Sequence, residues 1–211
     1  GRGHFLENKY EGGVHLVKTA ADAKSVAENM VGYSLVTKQS GPEGMMCNSL
    51  YLVELLDIEK EMYLAFTLDR VASAPCLVYS PAGGMAIEDV AESTPELIFK
   101  AHVDVDKGFT DIQINEIVAN LGLQEFHESA EKTLRNLYEC FHKSDSDMIE
   151  INPMVLAKKV GVLCADSKIT IDDNAAYRQK ELAEQEDKSN DTANERIAQK
   201  WDLNYIPIGG N

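Results

Sequence analysis

No two of the four cysteines, Cys47, Cys76, Cys140 and Cys164, form a C-x-x-C pair, and no histidine stands at zinc-module spacing from any of them. Spacing therefore indicates neither a zinc site nor a disulfide scaffold, and a reducing compartment is expected. No run of eighteen apolar residues occurs, so a membrane-spanning helix is not expected. The first residues lack the basic-then-apolar order of a signal peptide. They also lack an initiating Met, and "GRGHF" reads as the middle of a chain, so a processed or truncated product is expected. Basic residues are few: 20 Lys and Arg face 35 Asp and Glu, a net charge of -15. Such a balance opposes non-specific contact with nucleic acid or an anionic membrane surface. A partner with a basic patch, or an anionic ligand carried with a divalent cation, suits it better.

At 211 residues the chain can bury a substantial core as one domain or one domain plus a lobe. "GGVHLV" (12–17) reads as a short strand, and "TAADAKSVAENMVG" (19–32) as a helix capped by Thr19 and stopped at Gly32. "SLVTKQ", "SLYLVELLD", "EKEMYLAFTLD" and "APCLVYS" carry alternating or continuous apolar runs joined by short connections, as in an antiparallel or mixed sheet. "PAGGMAIEDVAESTPELIF" combines a glycine pair with a short helix. Residues 113–121 and 126–142 have helical spacing, with Ala130, Leu134, Leu137 and Phe141 at intervals of three and four. The charged stretch 174–201 reads as a helix, a solvated loop and a second short helix.

Between these lies "DMIEINPMVLAKKVGVLCADSKI" (147–169), in which polar residues interrupt apolar strands. For a hairpin of 147–157 and 161–171 centred on Lys159, partners sum to 318. Asn152 then lies opposite Asp166 and Glu150 opposite Lys168, and the four share one face. Ile149, Ile151, Val155, Leu163, Ala165 and Ile169 form the other face. An Asn and an Asp oxygen held close on two strands make a partial shell for Mg²⁺, which takes its remaining oxygens from water and phosphates. The ion would supply the positive charge that the acidic surroundings deny. A salt-bridged sheet surface fits the same residues, and a register slip of one would separate Asn152 from Asp166.

"EINPMV", "LCADSKI", "DDNAAYRQ" and "LNYI", with the initial "GRG", "GGVHLV", "GYSLVTKQ" and "LLDIEKEMYLA", resemble the β-subunit family of succinate–CoA ligases (succinyl-CoA synthetases) over nearly all 211 residues. The resemblance implies an α/β ATP-grasp fold, mixed or antiparallel sheets with flanking helices, incomplete at both ends, whose two lobes hold a nucleotide. It implies residues 1–55 as the remainder of the smaller lobe, 56–205 as the larger lobe and 206–211 as the start of a linker to a CoA-ligase domain. An upstream lysine that contacts phosphate would lie before Gly1. Asn152 and Asp166 match the family's Mg²⁺ ligands. Gly1, Arg2 and Gly3 match its nucleotide-binding GRG, and Leu56 a position whose backbone contacts the base. Glu54 and Glu61 match acidic positions near the nucleotide. Glu150 matches the glutamate that steadies a phosphohistidine brought by the α subunit. Lys168 carries no inherited role and is expected to pair with Glu150 or Asp166.

Departures from the family pattern are Ser167, where Ala is usual, and Gly209, where Asp is usual. Ser167 would fall on the apolar hairpin face and need a backbone partner. Gly83 and Gly84 resemble a family glycine pair, although a plain turn explains them as well. The resemblance implies a reversible reaction, succinyl-CoA, phosphate and GDP or ADP giving succinate, CoA and GTP or ATP, within an αβ heterodimer in the mitochondrial matrix. The motifs favour the GDP/GTP type. None of His4, His15, His102, His127 and His142 stands in a motif for the phosphorylated histidine, which belongs to the α subunit. A sister acid–CoA ligase, such as malate–CoA ligase or the grasp portion of ATP-citrate lyase, is the rival reading. So is a nucleotide-binding or assembly fragment without turnover, and the chain alone is expected to be inactive.

Overall fold

The computed structural model describes residues 3–37, 40–185, 191–201, 203, 205, 206 and 208. The chain divides into two compact units, Gly1–Glu54 with Glu186–Asn211, and Leu55–Gln185. In the first unit, β1 (His4–Phe5), β2 (Ser34–Val36) and β3 (Met45–Met46) form an antiparallel sheet in that order, with α1 (Ala20–Glu28) between β1 and β2 in the chain. Thr19 caps α1 by accepting from the Asp22 N–H at 3.1 Å. Glu28 ends the helix, and Gly32 follows at φ +86°.

Two expected strands are not formed. Residues 12–17 and 49–57 are irregular, and neither has a ladder partner among the described residues. Glu11, just before the first, makes a single bridge to His4. Apolar composition favours burial, but a strand exists only through its neighbour's hydrogen bonds. Much of both runs faces solvent instead, including Leu16, Tyr51 and Leu52.

The second unit is built on long antiparallel strands. Its elements are β4 (Ile58–Asp69), β5 (Ala74–Ser80), α2 (Ile87–Ser93), β6 (Phe99–His102), α3 (Asp111–Asn120), α4 (His127–Lys143), β7 (Ser146–Ala157), β8 (Gly161–Cys164), β9 (Ser167–Ile171) and α5 (Lys180–Ala183). The sheet runs β6-β5-β4-β7-β8, and β9 also pairs with β7. A capping box between Thr110 and Gln113 starts α3. Its Ile114, Ile117 and Val118 join Ala130, Leu134, Leu137 and Phe141 of α4 in one core with Met62, Leu64, Phe66, Leu77, Tyr79, Ile149, Ile151, Met154 and Leu156. Fully burying each Leu or Ile there contributes roughly 1.5–3 kcal/mol. After Gln185 the chain returns to the first unit, where α6 (Ala193–Gln199) begins with a capping box of Thr192 and Glu195.

Apolar periodicity places one sheet face against the helices, and β7 changes its parity part way along. Ile149 and Ile151 are core residues before Asn152, whereas Met154 and Leu156 are core residues after Pro153. The cause is a bulge: Leu64 pairs with Ile151 and Met62 with Met154, so Asn152 and Pro153 together oppose Tyr63. Proline has no N–H for a ladder, and within sheets it is confined to such places or to edges. The expected apolar face is corrected accordingly. Val155 is fully buried but lies on the other face from Ile151, while Ala165 and Ile169 are exposed at the sheet margin. Ser167 is exposed too, so its hydroxyl needs no protein partner.

The segment after β9 is tied back by an ion pair. Asp145, at the turn between α4 and β7, accepts from Arg178 Nε at 2.8 Å and from its Nη2 at 2.5 Å, and from Gln179 Nε2 at 2.6 Å. The Arg178 fork, with the Gln179 amide, lowers the Asp145 carboxyl from the ordinary 3.8 to about 2. A carboxylate whose folded value is depressed stabilises the fold at pH above its unfolded value and loses that contribution as pH falls through the folded value. Between pH 4 and 2, the thermal midpoint of the native chain should therefore fall more steeply than that of Asp145→Asn. Equal slopes in calorimetry would remove this contribution.

Candidate functional site

The sheet face turned away from α3 and α4 carries the polar groups. Ala65 of β4 pairs with Glu150 of β7, and Glu150 with Lys168 of β9, so the register puts these side chains on one face. Tyr63, two residues before Ala65, shares it. The Tyr63 side chain is buried; burial first, then the charge of Glu150, raises the phenol above its usual range. The phenol thus stays neutral beside the Glu150 carboxylate. The expected ion pair of Lys168 is not made: among the described residues no salt bridge joins it to Glu150 or Asp166, although it stands directly across from Glu150. Tyr63 is the neighbour of Glu150 on this face that sequence reasoning missed. Its only sequence signal is its place between the core residues Met62 and Leu64.

The expected register is present. Met154 pairs with Cys164 and Ile151 with Ser167, both summing to 318. Between them Pro153 O accepts from Ala165 N at 3.1 Å. Positions 152 and 166 thus fall at the same level of neighbouring strands, at the gap where β8 gives way to β9. The Asn152 amide is held from the side: Oδ1 accepts from the Gly84 N–H at 3.0 Å, and Nδ2 donates to Met85 O at 2.9 Å. With the amide orientation set by both bonds, the oxygen keeps a second lone pair. Asp166 is exposed and accepts from its neighbour Ser167 N at 2.9 Å through Oδ1. Its other oxygen takes no hydrogen bond among the described residues.

The clamp requires glycine at both positions. A Cβ on Gly83 would lie 2.4–2.5 Å from the backbone atoms of Met62, which cannot yield without moving β4. Gly84 sits at φ +71°, where side chains are strained, and a Cβ there would meet Glu61 Oε2 at 1.9 Å. Glu61 therefore lies over the loop that orients Asn152. The glycine pair is more than a turn: it brings the 83–85 backbone against β4 and within reach of the β7 bulge.

The remaining expected positions lie elsewhere. Gly3 is in the first unit, packed so closely that a Cβ would meet Val36 O at 2.4 Å, and its carbonyl accepts from Gly12 N at 2.8 Å. Gly1 and Arg2 lie outside the described residues, as does Gly209. Glu54 is exposed at the end of the first unit's leading segment, and Leu56 is partly buried just inside the second. A pocket of about 570 Å³, lined among others by Arg70, Val105, His142, Asp145 and Asp172, contains none of the expected site residues.

The donor set suits a hard cation. An amide oxygen on β7 and a carboxylate at the same level in the gap between β8 and β9 offer oxygen ligands only, which Mg²⁺ takes together with water and phosphate oxygens. Glu150 stands two residues along the same strand, and its carboxylate can hold an imidazole by a charge-assisted hydrogen bond.

Residues 1–156 match the family model of the ATP-grasp domain. Over 212 residues the whole chain is 42% identical to the mitochondrial GDP-forming succinate–CoA ligase subunit beta of Dictyostelium discoideum, covering 50% of that protein. It is also 42% identical to the ADP-forming subunit beta of Opitutus terrae, covering 54% of it, and to the human mitochondrial GDP-forming subunit beta, covering 49%. The chain spans about half the length of these curated relatives. Among solved structures, a variant of ATP citrate lyase from Methanosaeta concilii in complex with (3S)-citryl-CoA superposes with a TM-score of 0.59 at 16% identity. That match covers 89% of this chain and 43% of the other, a likeness of fold alone.

The glycine clamp yields a direct test. Gly83→Ala should cost about 1–3 kcal/mol through overpacking against β4 and loosen Asn152, measured by chemical denaturation and by the amide signal of Gly84 in NMR. Unchanged stability with an unmoved Gly84 signal would refute the clamp.

Proposed function

The chain belongs to the ATP-grasp family, and on that premise we propose that it is the nucleotide-binding part of a succinate–CoA ligase β subunit. Its relatives at 42% identity include such subunits of both the GDP-forming and the ADP-forming kind. The observation that carries the reading is the shared polar face of β4, β7 and β9, where Glu150 and the clamped Asn152 stand two residues apart beside Asp166. In this reading the whole protein interconverts succinyl-CoA, phosphate and GDP or ADP with succinate, CoA and the nucleoside triphosphate. An α subunit is the partner and brings the phosphohistidine.

Asn152 Oδ1 and the Asp166 carboxylate would hold Mg²⁺, which when bound offsets the negative charge of the nucleotide phosphates. The Gly84 and Met85 bonds fix the Asn152 amide, so that binding would need no rotamer search there. Glu150 would accept the N–H of the incoming imidazole and set which ring nitrogen meets the phosphoryl group. Tyr63 stays neutral near that carboxylate. Gly3 would present backbone to the nucleotide, with Gly1 and Arg2 beside it in sequence, and Glu54, Leu56 and Glu61 are the remaining proposed contacts. GDP is the proposed nucleotide and the mitochondrial matrix the proposed location; the equally similar ADP-forming relative makes both matters for measurement.

Asp166→Asn should weaken binding of Mg-GDP by at least about tenfold, measured by isothermal titration against Mg-ADP, with the fold unchanged by circular dichroism. Equal affinity in both proteins would count against the metal assignment. In the full β subunit with its α subunit, Glu150→Ala should leave nucleotide affinity as it was and slow phosphoryl exchange at least about a hundredfold. Exchange at the native rate would remove that role, and turnover with citrate in place of succinate would favour a sister ligase.

A further inference from the structure

Farther along the same sheet face, β4, β5 and β6 bring together three side chains that the nucleotide site does not use. Cys76 of β5 pairs with Thr67 of β4 on one side and with His102 of β6 on the other. Asp69 lies two residues beyond Thr67 and shares its face. Ligand atoms of Asp69, Cys76 and His102 all lie within 4.8 Å of one another. We propose that these three residues bind a zinc ion, in a site separate from the Mg²⁺ site.

The surroundings orient the donors. Asp69 Oδ1 is occupied by the N–H groups of Val71 at 2.9 Å and Ala72 at 3.1 Å, which aims Oδ2 at His102 Nε2, 2.8 Å away. The end of β6 is itself anchored, because His102 O accepts from Gln113 Nε2 at 2.6 Å. Cys76 is buried beneath them, while His102 is open to solvent, so an ion has an entry path on one side and a thiol on the other. Bonds of about 2.0–2.3 Å to zinc separate tetrahedral ligand atoms by roughly 3.3–3.8 Å. Binding would draw the three donors to that spacing.

The donor chemistry selects the metal. A thiolate and an imidazole beside one carboxylate suit zinc far better than the oxygen-seeking Mg²⁺. On binding, the Cys76 S–H proton leaves to solvent, the Asp69–His102 hydrogen bond opens as the Nε2 proton of the neutral imidazole is exchanged through solvent to Nδ1, and Zn–S, Zn–N and Zn–O bonds form, with one proton released in all. Asp69 and the thiolate then balance the two charges of the ion. Lys100 stands two residues from His102 on the same face and opposes any larger excess of positive charge. Three protein ligands leave the fourth position to water. The ion would cross-link three neighbouring strands about four residues along β4 from Ala65, the partner of Glu150, or some 13 Å by strand rise.

Cobalt reports such a site by colour. The purified chain, stripped of metal with chelator and titrated with Co²⁺, should show a thiolate-to-cobalt charge-transfer band saturating at one equivalent, and Zn²⁺ should bleach it. Cys76→Ser should abolish the band; His102→Gln and Asp69→Asn, both at accessible positions, should weaken Co²⁺ binding at least about tenfold with circular dichroism unchanged. Cys140→Ser, Cys164→Ser and Asp166→Asn should retain the band. Zn²⁺ should also raise the thermal midpoint of the native chain but not of His102→Gln. Absence of the band in the native chain, or its survival in His102→Gln and Asp69→Asn at native affinity, would overturn the proposal. Neither result would touch the nucleotide reading, which Asp166→Asn tests on its own.

Discussion

One additional residue in β7 governs the chemistry of the larger unit. Because Asn152 and Pro153 together oppose Tyr63, the strand changes which parity faces the helices at that point. Glu150 can then face away from the core while Ile149 and Ile151 fill it, and Met154 and Leu156 resume the core beyond the bulge. An unbroken alternation would have set Val155 in the core and exposed Met154. The same irregularity interrupts pairing with the neighbouring strands, and the gap between β8 and β9 falls at Asp166. A polar pair at that level therefore forfeits little ladder hydrogen bonding.

Rigidity reaches the site from two directions. The core of α3 and α4 fixes β4 and β7 from beneath, and the Gly83–Met85 loop fixes the Asn152 amide from the side. Tyr63 is buried in the sheet, and its phenol is kept neutral by that burial and by the charge of Glu150. Such placement on strands, with neighbours that lock rotamers, is what a site needs if ligands are to meet preset geometry. The acidic character of the whole chain also becomes intelligible here. A surface carrying net charge -15 repels free phosphates, so the proposed nucleotide would be better received with its cation.

The face that carries this site continues into Asp69, Cys76 and His102. Cysteine spacing in the sequence pointed away from zinc, and rightly so for a local module such as a C-x-x-C finger. Ligands drawn from three strands leave no such spacing. Six residues lie between Asp69 and Cys76, and a helix and a loop between Cys76 and His102, and only the ladder makes them neighbours.

What the sequence by itself determined was local and periodic. Alternation set β5 and most of β4, intervals of three and four set α3 and α4, Thr19 set the start of α1, and a centre at Lys159 set the β7 register. Quoted motifs carried the family. The strands expected over 12–17 and 49–57 did not form, because apolar composition is local while a ladder partner is not. Tertiary structure alone decided the parity switch at Asn152, the burial of Tyr63 near Glu150, the grip of Gly84 and Met85 on Asn152, and the meeting of Asp69, Cys76 and His102. Each depends on residues far apart in the chain coming together, and no short-range period encodes that approach.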